Sequence, residues 1–198
     1  MGYNLKNWKE LNSHIQSNDK NLDVNILNSI LKIKENFFSF KYNQRSNRTR
    51  IIKSELVKLG HNLKYKVYAN GLSDENIGNG FVNKEWLFDL IWYKEKKDTD
   101  YILTELLLAM ECEWEGIRNG DLKKIKYGAV KYDFQKLVVS NSKLKLLVFK
   151  ANCTDLDKLS KYFINAIRSF ENTQTESTFI FISFDNSRKK IFYSIINK

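Results

Sequence analysis

Proline is absent from this chain of 198 residues, and cysteine and histidine occur only twice each. Without proline there is no Pro-rich linker and no polyproline ligand segment. The two cysteines are Cys112, in an apolar stretch, and Cys153, just ahead of an expected helix. They give no disulfide framework and point to free thiols in a reduced compartment. His14 and His61 are the only histidines, and no Cys-x-x-Cys pair occurs, so a zinc site or a Cys–His nucleophile pair has little to stand on. No apolar run approaches the roughly 18 residues of a membrane span. Met1-Gly2-Tyr3-Asn4-Leu5-Lys6 is not followed by the apolar run of a signal peptide. The expectation is a cytoplasmic protein with no membrane partner.

What the chain does have is hydrophobic content, 42%, and a net charge of +10. The first suits a proper core, and the length suits one domain over 1–198. The charge, with a sequence pI of about 9.4, favours a polyanionic partner: nucleic acid first, an anionic membrane surface second. A Lys- and Asn-rich composition set by genome base bias is the plain alternative.

The first forty residues read as helix, with Leu22, Ile26, Leu27, Ile30, Leu31, Ile33 and Phe37 at roughly helical spacing. A basic stretch, Lys41 to Arg50, follows. A helix is expected over about 49–59, stopped by Gly60, and then a strand near Lys64–Ala69 and a Gly/Asn-rich loop from Asn70 to Asn83. Two apolar strands come next, about 84–93 and 102–114. Beyond the basic loop Arg118–Lys126 the pattern gives a helix near 128–140, a strand over Lys143–Phe149 and a helix over about 154–171. Strands at Ser177–Phe184 and Lys190–Ile196 close the chain, with Asp185 to Arg188 as the turn between them. This is an α/β order with a mixed sheet and helices on both faces.

The most informative residues lie in the two apolar strands. One reads Glu85-Trp86-Leu87-Phe88-Asp89-Leu90-Ile91-Trp92-Tyr93, the other Leu106-Leu107-Leu108-Ala109-Met110-Glu111-Cys112-Glu113-Trp114. A carboxylate inside such a strand costs several kcal/mol unless a cation neutralises it. Side chains alternate along a strand, so Glu111 and Glu113 share a face and Cys112 points away. Carboxylates delivered by adjacent strands suit a hard divalent cation. Trp92 and Trp114 read as core residues.

A helix, an Asp-bearing strand, a Glu-x-Glu strand, then helix and strand resembles the PD-(D/E)XK nuclease superfamily, with its restriction-endonuclease-like fold. The resemblance would cover about 49–196, with 1–48 as an N-terminal helical extension. The segments Asn83 to Asp89 and Asp133-Phe134-Gln135-Lys136-Leu137 look similar to those of uncharacterised bacterial members. The resemblance implies that Asp89 and Glu111 hold Mg²⁺ or Mn²⁺, with the Cys112 carbonyl as a further ligand. Glu113 stands where the family carries its catalytic lysine, and there it could accept a proton or bind a second metal. Lys136, three residues after Asp133 on the following helix, is the candidate replacement lysine. Glu55 is a candidate supporting acid, on the buried side of its helix beside Ile52, Leu56 and Leu59.

The basic stretches Lys41–Lys53 and Arg118–Lys131, with Arg45, Arg48, Arg50, Lys123, Lys124 and Lys126, suit phosphate contacts. The implied activity is a metal-dependent DNA endonuclease, in restriction or another defence role, with no small-molecule cofactor and with a homodimer as one way to cut both strands. The alternative is a protein that kept this fold, lost the chemistry and binds nucleic acid or a protein partner; the Glu at 113 favours it.

Overall fold

The computed structural model of the chain describes residues 8–16, 20–39, 44–72, 82–83, 87–97, 102–117, 124–171 and 176–198. They fall into two units, an N-terminal one (Asn12–Ala109) and a C-terminal one (Met110–Lys198 together with Met1–Leu11). Each is an α/β arrangement on a mixed sheet.

The chain enters the C-terminal unit first. β1 (Lys9–Glu10) pairs antiparallel with Tyr193 and Phe192, and the Leu11 N–H donates to Ile191 O at 2.8 Å. The helical reading of the first forty residues fails here. An open sheet edge supplies backbone partners that a two-residue segment takes up whatever its own propensity.

In the N-terminal unit, α1 (Leu22–Lys32) and α2 (Lys34–Phe38) divide the expected helix at Ile33. Ile26, Leu27, Ile30 and Phe37 are buried. The Asn28 side chain is buried with them and satisfied by both backbone groups of Ile15, at 2.9 and 2.8 Å. α3 (Arg45–Asn62) begins and ends beyond the expected limits, and Gly60 lies inside it. A Cβ on Gly60 would stand 2.6 Å from Trp92 Nε1 and 2.9 Å from Val67 Cγ2. Glycine is there to let helix and sheet approach, a demand that outweighs its helix cost of about 1 kcal/mol. The turn after the helix uses Lys64, at φ 66°.

β2 (Lys66–Ala69) pairs in parallel with β3 (Val82–Asn83) and antiparallel with β4 (Leu90–Glu95). With β5 (Leu103–Glu113) the order in this unit is β5-β4-β2-β3. β4 starts later than the sequence pattern suggests. Its ladder with β2 ends at Ala69↔Leu90, so Asp89 lies just before the strand rather than within it. Trp92 is buried, its indole N–H donating to Leu56 O at 3.1 Å.

β5 crosses into the C-terminal unit after Ala109. There follow α4 (Gly128–Val139), β6 (Leu144–Lys150), a 3₁₀ turn (Cys153–Asp155), α5 (Leu156–Ser169), β7 (Thr178–Asp185) and β8 (Lys190–Asn197). β6 and β7 are parallel, joined through α5, and β7 and β8 antiparallel, giving the order β1-β8-β7-β6-β5. α5 places Leu156, Leu159, Phe163, Ile164 and Ile167 on one buried face, as its spacing predicts. Phe163 stacks on Phe181 at 4.6 Å and meets Phe134 of α4 at 4.6 Å. Trp114 is buried against Phe184. Among the described residues no helix is long and apolar enough to cross a membrane.

Candidate active site

The C-terminal unit joins two of the expected residues, Glu111 and Lys136, with Asp133 beside them. Glu111, near the end of β5, is 3% exposed. Lys136 reaches it from α4, with Nζ 2.8 Å from Glu111 Oε1 and 2.9 Å from Asp133 Oδ1. Asp133 and Lys136 face each other because three residues make nearly one helical turn. Burial works against the Lys136 charge, but its bonds to Glu111 and Asp133 prevail and raise its pKa above the ordinary lysine value. The side chain is therefore a permanent cation at neutral pH.

Glu113 lies two residues on and is half-buried. Its Oε1 accepts the Glu115 N–H at 2.6 Å, which orients the carboxylate where β5 ends. Cys112, between them, is also half-buried.

Asp89 belongs to the N-terminal unit, where its partner is a lysine that the sequence pattern placed in an outward basic stretch. Lys53 of α3 is 4% exposed, and its Nζ lies 2.9 Å from Asp89 Oδ1. Asn70 completes the coordination of this ammonium through its backbone O, at 3.2 Å, and through its side-chain Oδ1. The buried face of α3 is Ile52, Lys53, Leu56, Val57 and Gly60, turned from the expected Ile52–Leu56–Leu59 stripe. Lys53 precedes Leu56 by three residues and Val57 by four; that spacing was the available signal.

Glu55 is consequently at the margin of the buried face, two residues and about 200° around the helix from Lys53. Its Oε1 stands 3.9 Å from Lys32 of α1. Arg45 and Arg48, ahead of the helix expected over about 49–59, fall with Arg50 in the first turns of α3. Arg48 packs its guanidinium over the Phe37 ring at 5.3 Å, and burial lowers its pKa. Arg45 and Arg50 are exposed, the latter bonded to Asn47. Lys124 is exposed, Lys126 pairs with Asp155 at 2.8 Å, and Lys123 lies outside the described residues.

In kind, the donors fit a hard divalent cation: Asp89, Glu111 and Glu113 all offer carboxylate oxygens. In number, no group of three or more His, Cys, Asp or Glu side chains among the described residues could hold a metal ion. Mg²⁺ does not require such a cage, since it is commonly bound by one or two carboxylates with substrate phosphates and water completing its shell. No family model, curated protein or solved structure matches this chain.

Proposed function

We propose that this protein is a metal-dependent endodeoxyribonuclease, akin to the PD-(D/E)XK enzymes, in which Lys136 of α4 takes the place of the missing strand lysine. One observation carries the reading: the Lys136 ammonium lies 2.8 Å from the buried Glu111 carboxylate. The Glu-x-Glu sequence leaves a vacancy for a cation at the end of β5, and the next helix fills it.

Glu111, with the Cys112 carbonyl, would hold Mg²⁺ or Mn²⁺ while water and substrate phosphate complete its shell; Asp89 is the further carboxylate that the resemblance implies. Bound there, the ion supplies charge neutralisation at the phosphate and acidifies water. Lys136 offers a fixed positive charge to the phosphate oxygens as negative charge develops, an arrangement that needs no reorganisation during the reaction. Glu113, aligned by the Glu115 N–H, is the proton acceptor. α3 supports a polyanionic substrate: its first turn has no acidic residue and no side-chain cap, yet carries Arg45 and Arg48.

The test is cleavage of supercoiled and linear duplex DNA with Mg²⁺ or Mn²⁺, with EDTA as control. Wild type cuts in either metal, and Asp89→Asn and Glu111→Gln do not. A wild-type protein that leaves DNA, and RNA in a parallel lane, intact with both metals overturns the reading.

The second reading, a nuclease-like protein that binds without cutting, is favoured by Lys53. A nearly buried lysine bonded to Asp89 and Asn70 is a complete ion pair without metal. On that reading Mg²⁺ leaves the melting temperature unchanged, whereas metal binding raises it in wild type.

A further inference from the structure

A second charged site lies in the C-terminal unit, away from Glu111 in sequence and built from different residues. Lys126, Tyr127, Lys131, Asp155, Lys158 and Leu159 line a cleft of about 130 Å³. We propose that this cleft binds a phosphate group, and that in the full reaction it seats a phosphate of the DNA strand, an assignment that rests on the nucleic-acid reading above.

Charge is the first argument. Three lysines and one aspartate leave the lining at +2. The aspartate does not compete for the ligand's place among the cations, because both its oxygens are engaged. Asp155 Oδ1 is held by Lys126 at 2.8 Å and Oδ2 by the Tyr127 hydroxyl at 2.9 Å. The Lys126 bond, with that of Tyr127, keeps its pKa below the usual carboxylate range. One lysine is thereby matched, and Lys131 and Lys158 remain to meet an anion. Lys131 Nζ lies 5.1 Å from the centre of the Tyr162 ring, which holds the ammonium in place without cancelling its charge.

Backbone architecture is the second argument. The cleft is lined by the N-cap residues of both long helices of the unit, Tyr127 for α4 and Asp155 for α5. Neither helix start has a side-chain cap hydrogen bond; the first turn of α4 has no acidic residue, whereas α5 starts on Asp155 and carries Asp157, so the positive end of α4 is the one that adds to the lysines. Tyr127 is buried and held at φ 59°, a left-handed conformation uncommon for an aromatic residue. Its hydroxyl is fixed from both sides, donating to Asp155 and accepting the Asn152 N–H at 3.3 Å. A backbone outlier held this firmly beside a basic cleft is a mark of pre-organisation.

The shared chemistry, a phosphate group, has three sources: free phosphate, a strand terminus and a strand interior. The experiment uses the full chain and a Lys131→Ala/Lys158→Ala double variant. Inorganic phosphate is titrated against chloride at fixed ionic strength, followed by duplexes bearing a 5′-phosphate or a 5′-hydroxyl. Phosphate should bind wild type, and the double variant should lose about tenfold or more, as expected when charge-assisted bonds go. DNA affinity should also fall, with the salt slope reduced by about 1 for each lysine removed. An equal fall for both duplexes assigns the cleft to the strand interior, and a fall confined to the 5′-phosphate duplex assigns it to the terminus. Phosphate binding with unchanged DNA affinity overturns the strand assignment and leaves a free-phosphate site. A wild type that cuts DNA but ignores phosphate, with a double variant that binds DNA like wild type, overturns the cleft and spares the nuclease reading. Phosphate binding lost in the variant without cleavage by any form does the opposite.

Discussion

Two lysine–carboxylate pairs, one in each unit, are mirror images in their burial. In the N-terminal pair the lysine is the interior member: the Lys53 side chain is 4% exposed and Asp89 21%. In the C-terminal pair the acid is inside: the Glu111 side chain is 4% exposed and Lys136 36%. The bonds are nearly equal in length, 2.9 and 2.8 Å, so distance does not distinguish them. What differs is which charge is stranded when its partner is removed. Lys53 has a second partner in Asn70, whereas Glu111 has beside it another acid, Asp133, that shares the same lysine. The first pair is a cation tied into a scaffold; the second is a carboxyl group held by a lysine where solvent barely reaches.

The largest effect is expected on catalysis, where the pairs should behave alike. Asp89→Asn and Glu111→Gln each abolish detectable Mg²⁺-dependent cleavage, and Lys136→Met lowers kcat by about 10²–10³-fold, the usual loss for one preorganised charge on a transition state. Single-turnover cleavage at saturating enzyme measures this. DNA affinity stays intact or improves in the two acid variants, since negative charge facing phosphates has gone. If Asp89→Asn cuts like wild type while Glu111→Gln is dead, Asp89 has no part in the chemistry.

Stability should separate the pairs. Lys136→Met leaves an almost buried Glu111 carboxylate beside Asp133 and costs about 3–5 kcal/mol. Lys53→Met leaves the more exposed Asp89 to water and places an apolar chain of similar size among apolar neighbours; its cost is below about 1 kcal/mol, or it stabilises. Urea denaturation of both variants makes the comparison. Equal losses in the two variants would mean that exposure is not what sets the cost.

Gly60 tests the scaffold that places Lys53. Alanine there gains helix propensity of about 1 kcal/mol, yet its Cβ would press on Trp92 and Val67. Overpacking of this kind costs about 1–3 kcal/mol, so Gly60→Ala should be net destabilising by thermal melt. A variant as stable as wild type would show that α3 can shift, and that the Lys53–Asp89 geometry is softer than described.

Much of this was legible beforehand, and the misses have identifiable causes. The Asp133–Lys136 pair followed from helical spacing, and Glu111 stood out because a carboxylate in an apolar strand demands a cation. Both come from short-range periodicity. Lys53 did not stand out, because an Ile52–Leu56–Leu59 stripe fits α3 nearly as well as the one that packs, and only the sheet decides between them. Gly60 carries the same letter whether it stops a helix or admits a tryptophan. β1 is two residues long, and no pattern exists at that length. The phosphate cleft combines Lys126 and Lys131, inside the Arg118–Lys131 stretch whose composition already suited phosphate contacts, with Asp155–Leu159, which is distant in sequence and which spacing could not join to it.

The smallest expected effect concerns a third interior lysine, which shows what such a residue costs without a carboxylate. Lys145 in β6 is 1% exposed and, among the described residues, bonded to two oxygens of Ser140, with its ammonium 5.7 Å from the centre of the Phe179 ring. Burial lowers its pKa to about 8. The unfolded chain, with an ordinary lysine near 10.4, binds more protons than the folded one between about pH 8 and 10.4. Stability therefore rises with pH through that window, and below it a constant penalty remains. The depression corresponds to about 3 kcal/mol, partly offset by the hydrogen bonds to Ser140, at about 1 kcal/mol apiece. Lys145→Met should stabilise the protein by about 1–3 kcal/mol at pH 7, an advantage that fades toward pH 10. Urea midpoints at pH 7, 8.5 and 10 trace it. If Lys145→Met is instead as destabilising as Lys136→Met, the bonds to Ser140 offset the cost of burial as fully as a carboxylate would, and the contrast between paired and unpaired interior lysines collapses.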